Sequence, residues 1–195
     1  MADIHNELNE ELTSALINPR TEASRKWFFD KIQNFSDVNR GAMIRQSKGV
    51  DGPVPGKMFM FWYEPKGTKT LPYYDRFPLI IMLDATPNGM LGLNLHYLPV
   101  NLRAKFFYGL LNRVNNKRYD DSTYIKVTYD YLKAARTAKE FRPCIKRYLT
   151  TNIRGKIAYV PANEWEVAVY LPTAAFVKED EATVHRISES MIERF

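Results

Sequence analysis

Few side chains in this 195-residue chain have both the type and the spacing for chemistry. The histidines are His5, His96 and His185, the single cysteine is Cys144, and no HExxH or His-plus-Cys spacing gathers them around a metal. His96, between Leu95 and Tyr97 at an expected strand end, reads as a structural histidine bonded to backbone rather than as a general base. Cys144 has Arg142, Lys146 and Arg147 close by to favour a thiolate but no histidine in its neighbourhood to act as a base. One cysteine forms no disulfide within a chain, which fits a reducing compartment.

Glu64-Pro65-Lys66 matches the Glu-x-Lys half of a Mg²⁺-dependent nuclease site, with Asp51 or Asp84 as the acid it would still need. A three-residue match is a weak signal, and the glycines are scattered with no phosphate-binding loop among them. No cofactor or metal is expected, and no enzyme.

The basic run is the stronger lead. From Lys133 to Lys156 the chain carries eight bases and one acid, Glu140, an excess larger than the net charge of +6 of the whole. Lys139, Arg142, Lys146, Arg147, Arg154 and Lys156 are the candidates for phosphate contact, which is strong without reading sequence. Tyr148 is the candidate for stacking on an exposed base, with Phe141 beside it. The same cations also suit an acidic neighbouring subunit, and charge alone does not separate the two. The termini are acidic: residues 1–19 hold Asp3, Glu7, Glu10 and Glu11 with no Lys or Arg.

The elements that must position these residues centre on 57–98. Three apolar runs, Lys57–Lys66, Leu71–Asp84 and Gly89–Leu98, are bounded by the turn signals Pro65-Lys66-Gly67 and Pro87-Asn88-Gly89. They predict a small antiparallel β-meander or SH3-like barrel packed against several helices, an α+β fold. Helices are expected over residues 1–17, from Glu22 behind a Thr21 cap to about Phe35, from Asn101 to about Asn115, from about Ser122 to Ala138, and from Glu179 to the end. Asp37 to Pro55 reads as a basic loop, and Arg154-Gly155-Lys156 as a tight turn. Trp165 to Leu171 suits a helix or a strand equally. The organisation expected is a helical extension and loop at 1–55, a core at 56–178 and a terminal helix at 179–195. No run of about 18 apolar residues is present to span a membrane, and the first residues lack the pattern of a secretory signal.

The strings Gly56-Lys-Met-Phe-Met-Phe-Trp-Tyr-Glu-Pro-Lys66, Leu71-Pro-Tyr-Tyr-Asp-Arg-Phe-Pro-Leu79 and Leu91-Gly-Leu-Asn-Leu-His-Tyr-Leu-Pro99 resemble small virion proteins of T4-type tailed phages, those labelled DNA end protector proteins. Phe141–Leu149 and Glu164–Pro172 extend the likeness. The resemblance implies a non-enzymatic structural protein that binds and shields the ends of packaged double-stranded DNA. It implies residence in the host cytoplasm during assembly and then in the virion, with portal, neck or tail subunits as neighbours. The alternative is a neck, tail or baseplate component with no direct DNA contact.

Overall fold

The run Met58-Phe-Met-Phe-Trp-Tyr63 forms strand β2, and it is bulky throughout because both of its faces are covered. Met58 and Met60 face one buried cluster, Phe59, Phe61 and Tyr63 a second, as the two-residue period of a strand requires. Its neighbours are β1 (Gly49–Val50), β4 (Leu79–Thr86), β5 (Gly89–Asn94), β6 (Ile145–Leu149) and β7 (Ile153–Val160). Together they make a six-stranded antiparallel sheet in the order β1-β7-β2-β4-β5-β6. A separate two-stranded ribbon joins β3 (Tyr74–Asp75) to β8 (Phe176–Val177). The computed structural model describes residues 7–8, 10–11, 13–16, 21–32, 38–100, 102–103, 105–107, 134 and 138–194, apart from the side chains at positions 22, 25, 29, 32, 139, 140 and 163.

The fold is the expected α+β arrangement, and β2, β4 and β5 are the expected meander. The sheet is open and not closed into a barrel, with β1 and β6 as its edges. The chain leaves β6 through a 3₁₀ turn at Thr150–Asn152 that crosses the end of β2, where Glu64 N donates to Asn152 O at 3.0 Å. That crossing delivers β7 to the far side of β2, so β6 keeps an open edge. Pro87 and Asn88 form the two-residue turn between β4 and β5, with Thr86 opposite Gly89. Gly89 also lies against β6: a Cβ there would come 1.9 Å from the Tyr148 carbonyl oxygen.

Helix α1 (Glu22–Ile32) starts where expected, with Thr21 Oγ1 accepting from Ser24 N at 3.1 Å. Ser24 Oγ in turn donates to the buried Glu166 carboxylate at 3.1 Å, and Phe28 enters the main core. Residues 7–8, 10–11 and 13–14 are helical, with Leu8 buried.

Two local expectations need correction, and one open alternative is resolved. The Asp37 to Pro55 segment is not all loop. It holds α2 (Arg40–Gln46), capped by Asn39, whose side chain accepts from Ala42 N at 2.9 Å, and then β1, which pairs with β7. Arg154-Gly155-Lys156 is not a turn between two pieces but an irregularity inside β7, where the register against β2 shifts and Gly155 takes φ 76°. Trp165 to Tyr170 is a helix, α3, buried on every side, with Trp165 Nε1 donating to Val160 O at 2.9 Å. The terminal helix α4 (Glu181–Glu193) is capped by Asp180. Of the two helices expected between 101 and 138, residues 102–103, 105–107 and 134 are helical, and Ala138 N donates to Ala134 O at 3.2 Å; the rest, up to residue 137, lies outside the described residues.

A buried polar cluster ties the ribbon to the sheet. The Asp75 carboxylate is 2.6 Å from His96 Nδ1 and accepts from Asn94 Nδ2 at 3.0 Å, Phe77 N at 2.9 Å and Ala175 N at 3.1 Å. His96 Nε2 meets Thr173 Oγ1 at 2.9 Å, and Asn94 Nδ2 reaches the Tyr148 hydroxyl at 3.0 Å. Burial would raise the Asp75 carboxyl, but His96, Asn94 and the Phe77 amide outweigh it and hold it below the usual carboxylate range.

Three outcomes follow from this packing. Gly89→Ala should destabilise by about 3 kcal/mol or prevent folding, because backbone cannot yield to the new Cβ. Gly52→Ala, which meets nothing within 4 Å, should shift the denaturation midpoint little. Asp75→Ala should cost about 3–5 kcal/mol in chemical denaturation, by stripping a partner from a buried pair.

The pH dependence has a definite sign. His185 Nε2 lies 2.9 Å from His96 O, and burial lowers its pKa first, with Arg103 adding to the effect against Glu181 and Glu189. The unfolded chain therefore binds the extra proton more readily, and stability present above the ordinary histidine range is lost as pH falls through it. Denaturation midpoints should drop between pH 7 and pH 5, and His185→Gln should flatten that limb.

Candidate nucleic-acid interface

β6 is the open edge of the sheet, and beside it lies a cavity of about 430 Å³. Lys146, Arg147, Tyr148 and Leu149 of β6 form one wall. Tyr63 and the Pro65-Lys66 turn form a second, and Leu71, Tyr73, Tyr74 and Asp75 a third, with Tyr97 at the back. Each wall is fixed by a named contact. Leu149 N donates to the Tyr63 hydroxyl at 3.2 Å. Lys178 Nζ donates to Lys69 O at 3.2 Å and Leu71 O at 2.5 Å, anchoring the segment that leads to Tyr73. Tyr74 and Asp75 are held by the pairing of β3 with β8.

The cavity is aromatic and cationic together. Tyr73 and Tyr97 lie 6.0 Å apart at a 37° tilt. Lys146 Nζ sits 4.1 Å from the centre of the Tyr97 ring, within cation–π range. Lys146 is half-buried, and burial lowers its pKa. Burial likewise raises the Tyr73 hydroxyl, helped by Glu179, and more strongly those of Tyr97 and Tyr148. Lys66 and Arg147 are exposed, and neither forms a hydrogen bond or ion pair among the described residues.

The fold divides the basic run. Lys146 and Arg147 come together at the cavity. Arg142 is exposed on the 3₁₀ segment that precedes β6. Arg154 is exposed on β7, with its Nε 3.1 Å from the Glu64 carboxylate. Lys156 is engaged elsewhere: its Nζ donates to Arg45 O at 3.0 Å and Ser47 O at 2.6 Å, holding the carboxyl end of α2. The Lys156 side chain lies beside Gly49 of β1 and does not line the cavity. Lys139 opens the 3₁₀ segment, and its side chain lies outside the described residues.

Tyr148 corrects the stacking expectation. It is 4 % exposed, with its ring edge-on to Phe61 at 5.3 Å and to Tyr63 at 4.9 Å. It supports the wall instead of offering a free face. The residues that sequence reasoning missed are Tyr73, Tyr74 and Tyr97, and Lys66 was read only as half of a nuclease pair. Their signal was present as a Tyr-Tyr pair and a lysine in a Pro-Gly turn, but only the pairing of β3 with β8 reveals that they converge.

The other candidates resolve plainly. Cys144 is buried, and burial pushes its thiol up to about 12 in spite of Lys146 and Arg103, so the nucleophilic thiolate is disfavoured. Glu64 faces Arg154, and no group of three or more His, Cys, Asp or Glu among the described residues could hold a metal. Thr173, His96 and Asp75 stand in the order hydroxyl, imidazole, carboxylate, as in a nucleophilic relay. Thr173 is 3 % exposed and does not line the cavity, so the row serves as a structural tie. Among the described residues, no helix is long and apolar enough to cross a membrane.

Comparison with curated proteins and with solved structures finds no match. A protein family does match, over residues 1–188, nearly the whole sequence and including every element that builds the cavity. The chain belongs to that family, described as the phage T4 terminal DNA protecting protein.

Proposed function

We propose that this protein shields a duplex terminus by sitting on it directly, as a binding protein that does not turn DNA over. The observation that carries this reading is the convergence of Lys66, Lys146 and Arg147 with tyrosine rings on one cavity at an open sheet edge. Cations with no other partner attract phosphates by releasing condensed counterions, and aromatic walls favour bases that have lost a stacking neighbour. Arg142, on the segment leading into β6, extends the cationic surface along the backbone of the bound strand. Arg154 contributes at the rim and gives up Glu64 when a phosphate replaces it.

Membership in a phage terminal DNA protecting family supports a location in the virion or the infected host's cytoplasm. Loading during assembly, followed by retention in the virion next to portal, neck or tail subunits, is the sequence of events we infer. The acidic N-terminal residues, Glu7, Glu10 and Glu11 among them, suit docking on such a subunit better than approach to DNA.

Electrophoretic mobility with a linear duplex and with the same DNA circularised, across a salt series with and without Mg²⁺, tests the proposal. Salt-sensitive binding stronger on linear than on circular DNA, with the DNA intact in Mg²⁺, is expected. Replacing Lys66 and Arg147 by Ala together should flatten the dependence of log affinity on log salt by about two. Absence of binding to either form would overturn direct contact and turn the same cations into a subunit interface.

A further inference from the structure

We propose that the cavity beside β6 receives the terminal nucleotide of one DNA strand, base inward and phosphate at the mouth; this rests on direct contact with a DNA end. The volume of about 430 Å³ falls within the range of small-ligand sites and accommodates one nucleotide. A nucleotide inside a duplex must leave two stacking neighbours to enter, whereas a terminal one leaves a single neighbour and already frays. The cavity thus discriminates an end from an interior without reading sequence.

The walls set the orientation. Tyr73, half-buried, presents aromatic surface to a base, with the buried Tyr97 ring packed behind it, and Lys146 Nζ, 4.1 Å from the Tyr97 ring centre, has no hydrogen bond or ion pair among the described residues to hold it away. Lys66 and Arg147 are exposed at the mouth, where the phosphate of the entering nucleotide would lie. Asp75 also lines the cavity, 3 % exposed, its carboxylate taken up by His96, Asn94 and two backbone amides. A phosphate directed inward would meet that charge, while a base would not. The arrangement also explains the half-burial of Lys146: a cation already partly stripped of water and lying on a ring is positioned to accept a phosphate or a base carbonyl.

The test uses linear duplexes carrying 2-aminopurine at the terminal nucleotide of either strand, or four base pairs inward, with the full-length protein. Quenching at a terminal position on one strand, and none at the internal position, is expected. Tyr73→Ala should abolish the quenching and lower the preference for linear over circular DNA by about five- to a hundredfold, the range for one lost stacking contact. Its salt slope should stay at the wild-type value, since no phosphate contact is removed. Lys146→Met, which keeps the stem on Tyr97, should lower the preference too and flatten the slope by about one. Thermal melts of both variants confirm that they fold. No binding of linear DNA would defeat direct contact itself. Binding with neither terminal probe quenched, or folded variants that keep full end preference, would overturn this inference alone. Quenching of tyrosine fluorescence by deoxyadenosine 5′-monophosphate, with DNA-bound probes unaffected, would reassign the cavity to a free nucleotide.

Discussion

A carboxylate with four donors around it, buried at a point where four segments of chain meet, governs the shape of the functional edge. Asp75 comes from β3, Asn94 from the end of β5, His96 from the 3₁₀ turn after it, and Ala175 from the approach to β8. Burying such a charge is costly unless every lone pair is met. The chain meets them with side chains and backbone amides up to 100 residues away in sequence, so the site specifies one arrangement of these segments. The cavity is a by-product of that arrangement. Tyr73 and Tyr74 stand where they do because the residue after them is fixed, and Tyr148 is oriented by the same Asn94 that touches Asp75.

The second constraint is how the fold spends its cations. In sequence the run from Lys133 to Lys156 looks uniform, yet its members have different tasks. Lys156 satisfies carbonyls at the end of α2, as Arg40 does for Pro172, Thr173 and Ala174, whose oxygens lie 3.4, 2.9 and 2.6 Å away. Arg103 is buried, donating to Leu98 O at 3.1 Å and Val169 O at 3.0 Å. What remains for a polyanion is set by which bases have no acceptor of their own, and at the β6 edge these are Lys66, Lys146 and Arg147.

Legibility in the sequence tracks how local each determinant is. The β2 run, the Pro87-Asn88 turn and the Thr21 cap were readable, because each depends on neighbours within four residues. Helix α2 was hidden: seven residues long, with Met43 its one buried side chain, it lacks the periodic apolar face by which helices announce themselves. β1 was hidden for the opposite reason, since Gly49 and Val50 form a strand only because Ala158 and Ile157 lie alongside. Trp165 to Tyr170 was ambiguous because burial on every side erases both periods. Lys146 and Arg147 were legible as charge, but Tyr73, Tyr74 and Tyr97 read as strand residues until β3 met β8. Tyr148 reads as a polar aromatic available for stacking, whereas two aromatic neighbours and a bond to Asn94 take it into the core.

Net positive charge makes a protein bind DNA anywhere along its length, since phosphates recur at every step. Discrimination of an end must come from a feature that the interior of a duplex cannot present, and two such features concern the bases: a base pair with one open stacking face, and a nucleotide that can leave its partner at little cost. A flat aromatic surface would read the first, a recess would read the second. Tyr63, Tyr73, Tyr74, Tyr97 and Tyr148 line a recess, with Tyr148 and Tyr63 locked edge-on in its walls and the unpartnered cations at its mouth. Geometry therefore favours capture of the strand terminus over capping of the terminal pair, and it leaves β6, the open sheet edge, as the side from which the strand enters.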